Sequence, residues 1–277
     1  MYQKEIILKH FDNVSTYYDK NNQKLYWKLA DNILWEIIKK YIPKDKSFTI
    51  LELGAGTGEW AYKILSRFNN TEYILVDFSN KMLEKARQKL VGFNSRTKFI
   101  KADINNLNLS KKVDMVLNIY VLPFFPDADK LISISSLHLK IGGILISVGE
   151  NYYNGLALNI LKSNIEEVKS VYENSEGKLS SSVPMLHFNK INELENIYKQ
   201  NNIKSIYKCG YPVLSLIGVE ESLTTNRFSI RTILENNFDY IFNLEMEYIK
   251  DVNLCNRGKY ICLVGEKNEE SSDIKRN

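Results

Sequence analysis

Phe48-Thr49-Ile50-Leu51-Glu52-Leu53-Gly54-Ala55-Gly56-Thr57-Gly58 runs from an unbroken strand-like stretch into a glycine-rich turn, and Glu59 to Phe68 then set Trp60, Ala61, Ile64, Leu65 and Phe68 on one helical face. Strand, turn and helix make one βα unit. The pattern repeats: Tyr73-Ile74-Leu75-Val76 predicts a second strand ended by Asp77, and Met82, Leu83, Ala86 and Leu90 mark the buried stripe of its helix. Thr97 to Ala102, ended by Asp103, predicts a third strand, and Val113 to Ile119 a fourth. A helix over about 129–139 leads through Ile141-Gly142-Gly143 into a fifth, Ile144 to Val148. Repeated βα units predict an α/β fold: a doubly wound, mostly parallel sheet with right-handed crossovers.

Before the first strand, two helices are expected, around Ile6 to Tyr18 and Leu25 to Tyr41, the second carrying Leu25, Leu29, Ile33, Ile37 and Ile38 at helical spacing and ending at Pro43. After Glu150 the periodicity loosens into a stretch rich in Asn, Ser and Tyr, read as a cap. Order returns with a helix near Ile191 to Gln200, a strand near Ser205 to Cys209 and a final strand at Lys259 to Val264, with a second capping segment between the two strands.

Composition narrows the classes. At 277 residues, 44% hydrophobic and 25% charged, the chain is an ordinary globular one. Its apolar runs fall short of the roughly 20 residues of a membrane span, and Met1 to Glu5 begin no basic-then-apolar leader, so a cytoplasmic location and no membrane partner are expected. A net charge of +4 from scattered basic residues gives no nucleic-acid footprint. Cys209, Cys255 and Cys262 are an odd number without ligand spacing, which argues against disulfides and against a metal.

Ligands of open parallel sheets bind at the carboxyl ends of the strands, and the distinctive residues fall there. In a dinucleotide fingerprint the third glycine comes three residues after the second, whereas Gly58 follows Gly56 by two. Glu52 before the turn repels a pyrophosphate and attracts an ammonium or sulfonium, which favours a cationic amino-acid moiety over NAD. Asp77, a little over 20 residues after Gly54, is placed to accept both hydroxyls of an adenosine ribose. Asp103 can accept from an adenine amino group between the apolar faces of Phe78 and Ile104, and Asn118 and Tyr120 end the fourth strand. Each alone is compatible with an incidental strand cap; four strand ends in agreement are not easily so.

Glu52-Leu53-Gly54-Ala55-Gly56-Thr57-Gly58, Val76-Asp77-Phe78-Ser79, Ala102-Asp103-Ile104 and Gly142-Gly143 together resemble the class I methyltransferases that use S-adenosylmethionine, of the small-molecule type. The resemblance covers residues 48–150 and extends weakly to Phe11-Asp12-Asn13 and Tyr17-Tyr18-Asp19, similar to an N-terminal lid, and to the last strand, which inserts antiparallel in the family. It implies a Rossmann-like sheet of seven strands with an N-terminal helical lid and inserted caps. The layout is then a lid over 1–45, a donor-binding core over 46–150, caps over 151–190 and 211–256, the rest of the sheet over 191–210 and 257–266, and a disordered tail over 267–277. S-adenosylmethionine, leaving as S-adenosylhomocysteine, is the implied cofactor, with no metal. The implied binding set is Tyr18, Glu52, Gly54, Ala55, Gly56, Asp77, Phe78, Met82, Asp103, Ile104, Asn118 and Ile119, with the glycine turn and Glu52 on the methionine end, Asp77 on ribose and Asp103 on adenine.

Two departures bear on the acceptor. Val121-Leu122-Pro123-Phe124-Phe125 stand where the family often has a histidine, and the Asn-Pro-Pro-Tyr pattern used on amino groups of bases and on glutamine amides is absent. Methyl transfer from a sulfonium is an in-line displacement that needs alignment and water exclusion more than machinery. His187, Tyr18 and Tyr120 are candidate catalytic groups, and Tyr17, Trp27, Glu150, Asn151 and Tyr152 candidate acceptor contacts. The expected activity is methyl transfer to oxygen or nitrogen of a small or medium-sized acceptor, such as a natural product or peptide, by a monomer or homodimer; a nicotinamide-dependent oxidoreductase and an inactive methyltransferase-like binding module are the alternatives.

Overall fold

A computed structural model of the chain describes residues 2–21, 24–180, 183–215 and 230–269. Two N-terminal helices, α1 (Tyr2–Val14) and α2 (Tyr18–Asn21), precede α3 (Leu25–Ile38). Then come β1 (Phe48–Leu53), α4 (Glu59–Leu65), β2 (Thr71–Asp77), α5 (Asn80–Lys89), β3 (Thr97–Lys101), β4 (Val113–Ile119), α6 (Ala128–His138) and β5 (Leu139–Asn151). The remainder is α7 (Tyr152–Leu161), α8 (Ile165–Asn174), β6 (Glu176–Gly177), β7 (Leu186–Asn189), α9 (Ile191–Gln200), β8 (Ile203–Tyr211), α10 (Ile230–Tyr248) and β9 (Tyr260–Lys267).

Strands β3, β2, β1, β4 and β5 lie side by side in that order, all parallel. The order reverses between β1 and β4, which opens the crevice of doubly wound sheets at their carboxyl ends. Strand β9 pairs antiparallel with β5, and β8 antiparallel with β9. Among the described residues nine strands are present where seven were expected: β6 and β7 form a short added hairpin, with β7 parallel to the tip of β5 through Glu150 and Asn151. Strands this short carry too few alternations for periodicity to register.

Continuous apolar runs bury both sheet faces. Leu29, Ile33, Leu34, Ile37 and Ile38 of α3 pack with Ile50, Leu75, Met115 and Leu117 on one face, and each such side chain contributes about 1.5–3 kcal/mol. Leu51, Leu53, Val76 and Val116 face α6 and α9 on the other. Helix α10 lies on α3, and its fully buried Glu245 accepts backbone N–H bonds from Val213, Leu214 and Ser215, fixing the chain where it leaves β8. Cys209, Cys255 and Cys262 are buried free thiols. Among the described residues, no helix is long and apolar enough to cross a membrane and no group of side chains is arranged to hold a metal. Of the tail expected over 267–277, residues 270–277 lie outside the described residues, as does most of 211–229 in the second cap.

Candidate functional site

The turn after β1 is built by backbone. Gly54 and Ala55 N–H both donate to the Val76 carbonyl, at 2.8 and 3.0 Å, pinning the turn to the end of β2. Gly56 (φ +53°) donates its N–H to Asp77 Oδ2 at 2.9 Å, and a Cβ placed there would meet nothing within 4 Å. A left-handed residue that borders open space is a cradle, not a packing necessity. Gly54 (φ +71°) differs: its Cβ would fall 2.4 Å from Val121 Cγ2, so the turn and the residues after β4 are in direct contact.

Asp77 is 6% exposed. Its Oδ1 accepts from Ser79 N–H at 2.8 Å, and Ser79 in turn caps α5 through Met82 N–H at 3.1 Å. Burial pushes the Asp77 carboxyl up to about 6 against the pull of the Ser79, Gly56 and Phe78 N–H groups. Glu52 accepts the Tyr73 hydroxyl at 2.8 Å. Burial pushes it up to about 8 despite that bond, and Asp77 adds to the rise. Burial thus favours the protonated form of Glu52, and a cation at the turn would favour the ionised one.

The N-terminal helices lie over these strand ends. Lys4 pairs with Asp103, Ser79 Oγ donates to Asp12, Thr57 Oγ1 donates to Asp19 at 2.6 Å, and Lys89 joins Asp19 to Glu59. Partial burial raises the Asp103 carboxyl, but the bond from Lys4 and those from Asn105 outweigh it and hold it below its ordinary value. Phe11 packs edge-on against Phe124 and Tyr18.

A second group gathers around Tyr120, from five elements. Tyr120, just after β4, has φ +59°, a left-handed conformation that a bulky aromatic residue rarely adopts. It brings the hydroxyl to Asp31 Oδ1 of α3, to which it donates at 3.4 Å, while Tyr211 at the end of β8 donates to Tyr120 Oη at 3.3 Å. The Tyr260 ring at the start of β9 lies 4.8 Å from that of Tyr120, 5.5 Å from that of Tyr211 and 6.1 Å from Trp27. Lys259 sets its ammonium 4.1 Å from the Trp27 ring centre, a cation–π contact. Glu150 of β5 is buried, and its Oε2 has no partner among the described residues. Burial pushes Asp31 up to about 6 against Lys63 and the Tyr120 bond, and Glu150 up to about 6 against Lys259.

The other residues singled out by sequence are distributed as follows. Asn118 points to α6, where its amide donates to Ser135 Oγ at 2.9 Å, and its Oδ1 is buried without a partner among the described residues. Ile119 and Met82 are buried, and Ile104 packs against the α6 face. Ala55 is buried in the turn, Phe78 is half-buried, and Tyr17 is 46% exposed. Asn151 caps α7 and donates to the Asn256 and Gly258 carbonyls. Tyr152 belongs to the cap cluster with Val171, Leu186 and Phe188. His187, on β7, pairs with Glu176 at 3.2 Å and meets Gln3 at 3.5 Å; burial lowers its pKa, with Glu176 opposing. Trp27, Tyr120 and Glu150 are thus brought together, while Asn151, Tyr152 and His187 hold the cap. Asp31, Tyr211, Lys259 and Tyr260 were not singled out from sequence, because Asp31 reads as the solvent face of an amphipathic helix and the others as ordinary strand ends.

The sequence pattern of the family described as Methyltransferase domain matches residues 50–143, a span that holds the glycine turn, Asp77, Asp103 and Tyr120. Residues 50–143 are a methyltransferase domain, and the chain is similar to the class I S-adenosylmethionine-dependent methyltransferases. Malonyl-(acyl-carrier protein) O-methyltransferase 1 of Ilyobacter polytropus is 37% identical over 98 residues, 35% of this chain and only 36% of that protein. A second malonyl-(acyl-carrier protein) O-methyltransferase of that organism is 26% identical over 217 residues, 75% of this chain and 76% of the relative. Among solved structures, an S-adenosylmethionine-dependent methyltransferase of Thermotoga maritima superposes with a TM-score of 0.59 at 16% identity, covering 95% of this chain and 100% of that one. Magnesium protoporphyrin IX methyltransferase of Synechocystis, solved with S-adenosylhomocysteine, gives 0.56 at 15% identity, covering 96% and 100%. At such identities the likeness is one of fold. In this methyltransferase, then, the glycine turn and the Tyr120 group stand at the switch point where ligands of doubly wound sheets bind.

Proposed function

We propose that this methyltransferase carries a methyl group from S-adenosylmethionine to an oxygen atom of a small acceptor seated against Tyr120. The observation that supports this is the close approach of Gly54 to Val121, which joins the glycine turn to the residue after Tyr120. A donor fits the turn: Gly56 leaves room beside a buried Asp77 that keeps acceptor capacity for a ribose hydroxyl, and Asp103 offers an acceptor for an adenine amino group once Lys4 yields it. When bound, the donor supplies an electrophilic methyl on a sulfonium. The chain's part is alignment and water exclusion, with α1 and α2 closing over the strand ends and the rings of Trp27, Tyr120 and Tyr260 forming an apolar wall. Oxygen rather than nitrogen is supported by the O-methyltransferase names of the relatives.

Calorimetric titration with S-adenosylmethionine, S-adenosylhomocysteine and NAD tests the donor half. Saturable binding of both sulfur ligands and not of NAD is expected, followed by acceptor screening for a mass gain of one methyl. Failure of a folded sample to bind either sulfur ligand overturns the proposal and favours a non-catalytic role.

A further inference from the structure

The Tyr120 group contains a directed hydrogen-bond chain in which Tyr211 Oη donates to Tyr120 Oη and Tyr120 Oη donates to the Asp31 carboxylate. Its members differ in accessibility. Tyr211, Tyr260 and Glu150 are buried, whereas Asp31, Tyr120 and Trp27 are half-buried, so these three form the more accessible edge of the group. The backbone also marks Tyr120. A left-handed tyrosine costs about 1–2 kcal/mol, and a strained backbone held by surrounding packing clusters at functional sites.

We propose that Asp31, reached through Tyr120, takes the proton of the methyl acceptor, and that the site accordingly selects an aromatic acceptor that arrives as a neutral hydroxyl compound. The inference rests on the reading of this site as the acceptor site. The acceptor O–H bond breaks with its electron pair remaining on oxygen, the proton passes to Tyr120 Oη, and the proton already on Tyr120 moves to Asp31 Oδ1. Tyr120 ends as it began and the carboxylate ends neutral, so charge and protons balance. Flat apolar rings on Trp27 and Tyr120, backed by the buried Tyr260, match an aromatic body, while an acceptor already ionised has no proton to give and meets the charges of Asp31 and Glu150.

The groups that act on this chain are Lys63 and Glu59 of α4 against Asp31, with Glu36 and Arg67 beside Lys63; Tyr120 faces Tyr18, Glu150, Tyr211 and Tyr260, with Lys259 beside Glu150. Asp31 is ionised above about 6, so a ligand that donates a proton to it binds best above that pH.

The test uses the protein saturated with S-adenosylhomocysteine, titrated with 4-methylphenol and with its methyl ether, 4-methylanisole, at several pH values from about 5 to 8. Affinity for the phenol is expected to rise about tenfold as pH increases through that range, as for a hydrogen bond to a charged group, while the ether shows no such rise. Asp31→Asn and Tyr120→Phe should both flatten the phenol profile, and Tyr120→Phe retains the ring should the first variant fold poorly. A flat profile in the wild-type protein, a pH rise that survives in both variants, or binding of neither ligand overturns the proposal. Binding of S-adenosylhomocysteine, measured on the same samples, separates this failure from failure of the donor assignment.

Discussion

Gly56→Ala separates the fold from the donor cradle. The added Cβ meets nothing within 4 Å, so the cost to the free protein is the left-handed backbone at φ +53° alone, about 1–2 kcal/mol. For a chain of this size that lowers the melting temperature by about 2–8 °C. The same methyl group occupies space that the bound donor is proposed to fill, an overpacking of about 1–3 kcal/mol, which weakens donor affinity by about 5- to 150-fold. Gly54→Ala is the contrast: its Cβ would lie 2.4 Å from Val121 Cγ2, so strain and clash add to about 2–5 kcal/mol in the free protein and push on the residue next to Tyr120. Thermal melting together with calorimetric titration of S-adenosylmethionine distinguishes the two. A Gly56→Ala protein that binds the donor as tightly as wild type would falsify the cradle assignment, whatever its melting temperature.

Asp77→Ala leaves the Gly56 and Ser79 N–H groups without their acceptor, and a folded variant should lose donor affinity by about a hundredfold or more; an unchanged titration refutes the ribose assignment. Lys4→Ala frees Asp103 from an ion pair at a partly exposed site, so donor affinity should rise by up to about fivefold, and a fall instead would mean that Lys4 helps to hold the donor. The folded-state values of Asp31, Glu52, Asp77 and Glu150 lie above their ordinary 3.8 or 4.5, so the folded protein holds more protons than the unfolded chain. Stability of the donor-free protein should therefore fall as pH rises through about 6 and on to about 8, and Glu52→Gln should remove the upper part of that decline in pH-dependent melts. Glu245→Ala strips the acceptor from three backbone N–H groups and should cost about 3–5 kcal/mol by denaturant unfolding, with Glu245→Gln recovering part; a loss below 1 kcal/mol would contradict an anchoring role.

Local pattern alone determined the sheet and one side of the crevice. Apolar runs at Phe48 to Leu53 and Val113 to Ile119 can only be strands buried on both faces, and the intervening stripes at Trp60 to Leu65 and Met82 to Ala86 are helices that must cover them. Gly54, Gly56, Asp77 and Asp103 were legible because each lies at or just past the end of a strand, and the carboxyl end of a parallel strand is a place that sequence can name. Tertiary structure decided the rest. The Asp31–Tyr120 and Tyr120–Tyr211 bonds join residues 89 and 91 positions apart, and the Lys4–Asp103 pair residues 99 apart. No local periodicity encodes such meetings. The protonation of Glu52 is of the same kind, since it follows from burial beside Tyr73 and Asp77 rather than from its place before a turn. Strand and helix type depend on neighbours within a few residues, whereas the pairing and charge of a side chain depend on whatever packing brings to it from elsewhere in the chain.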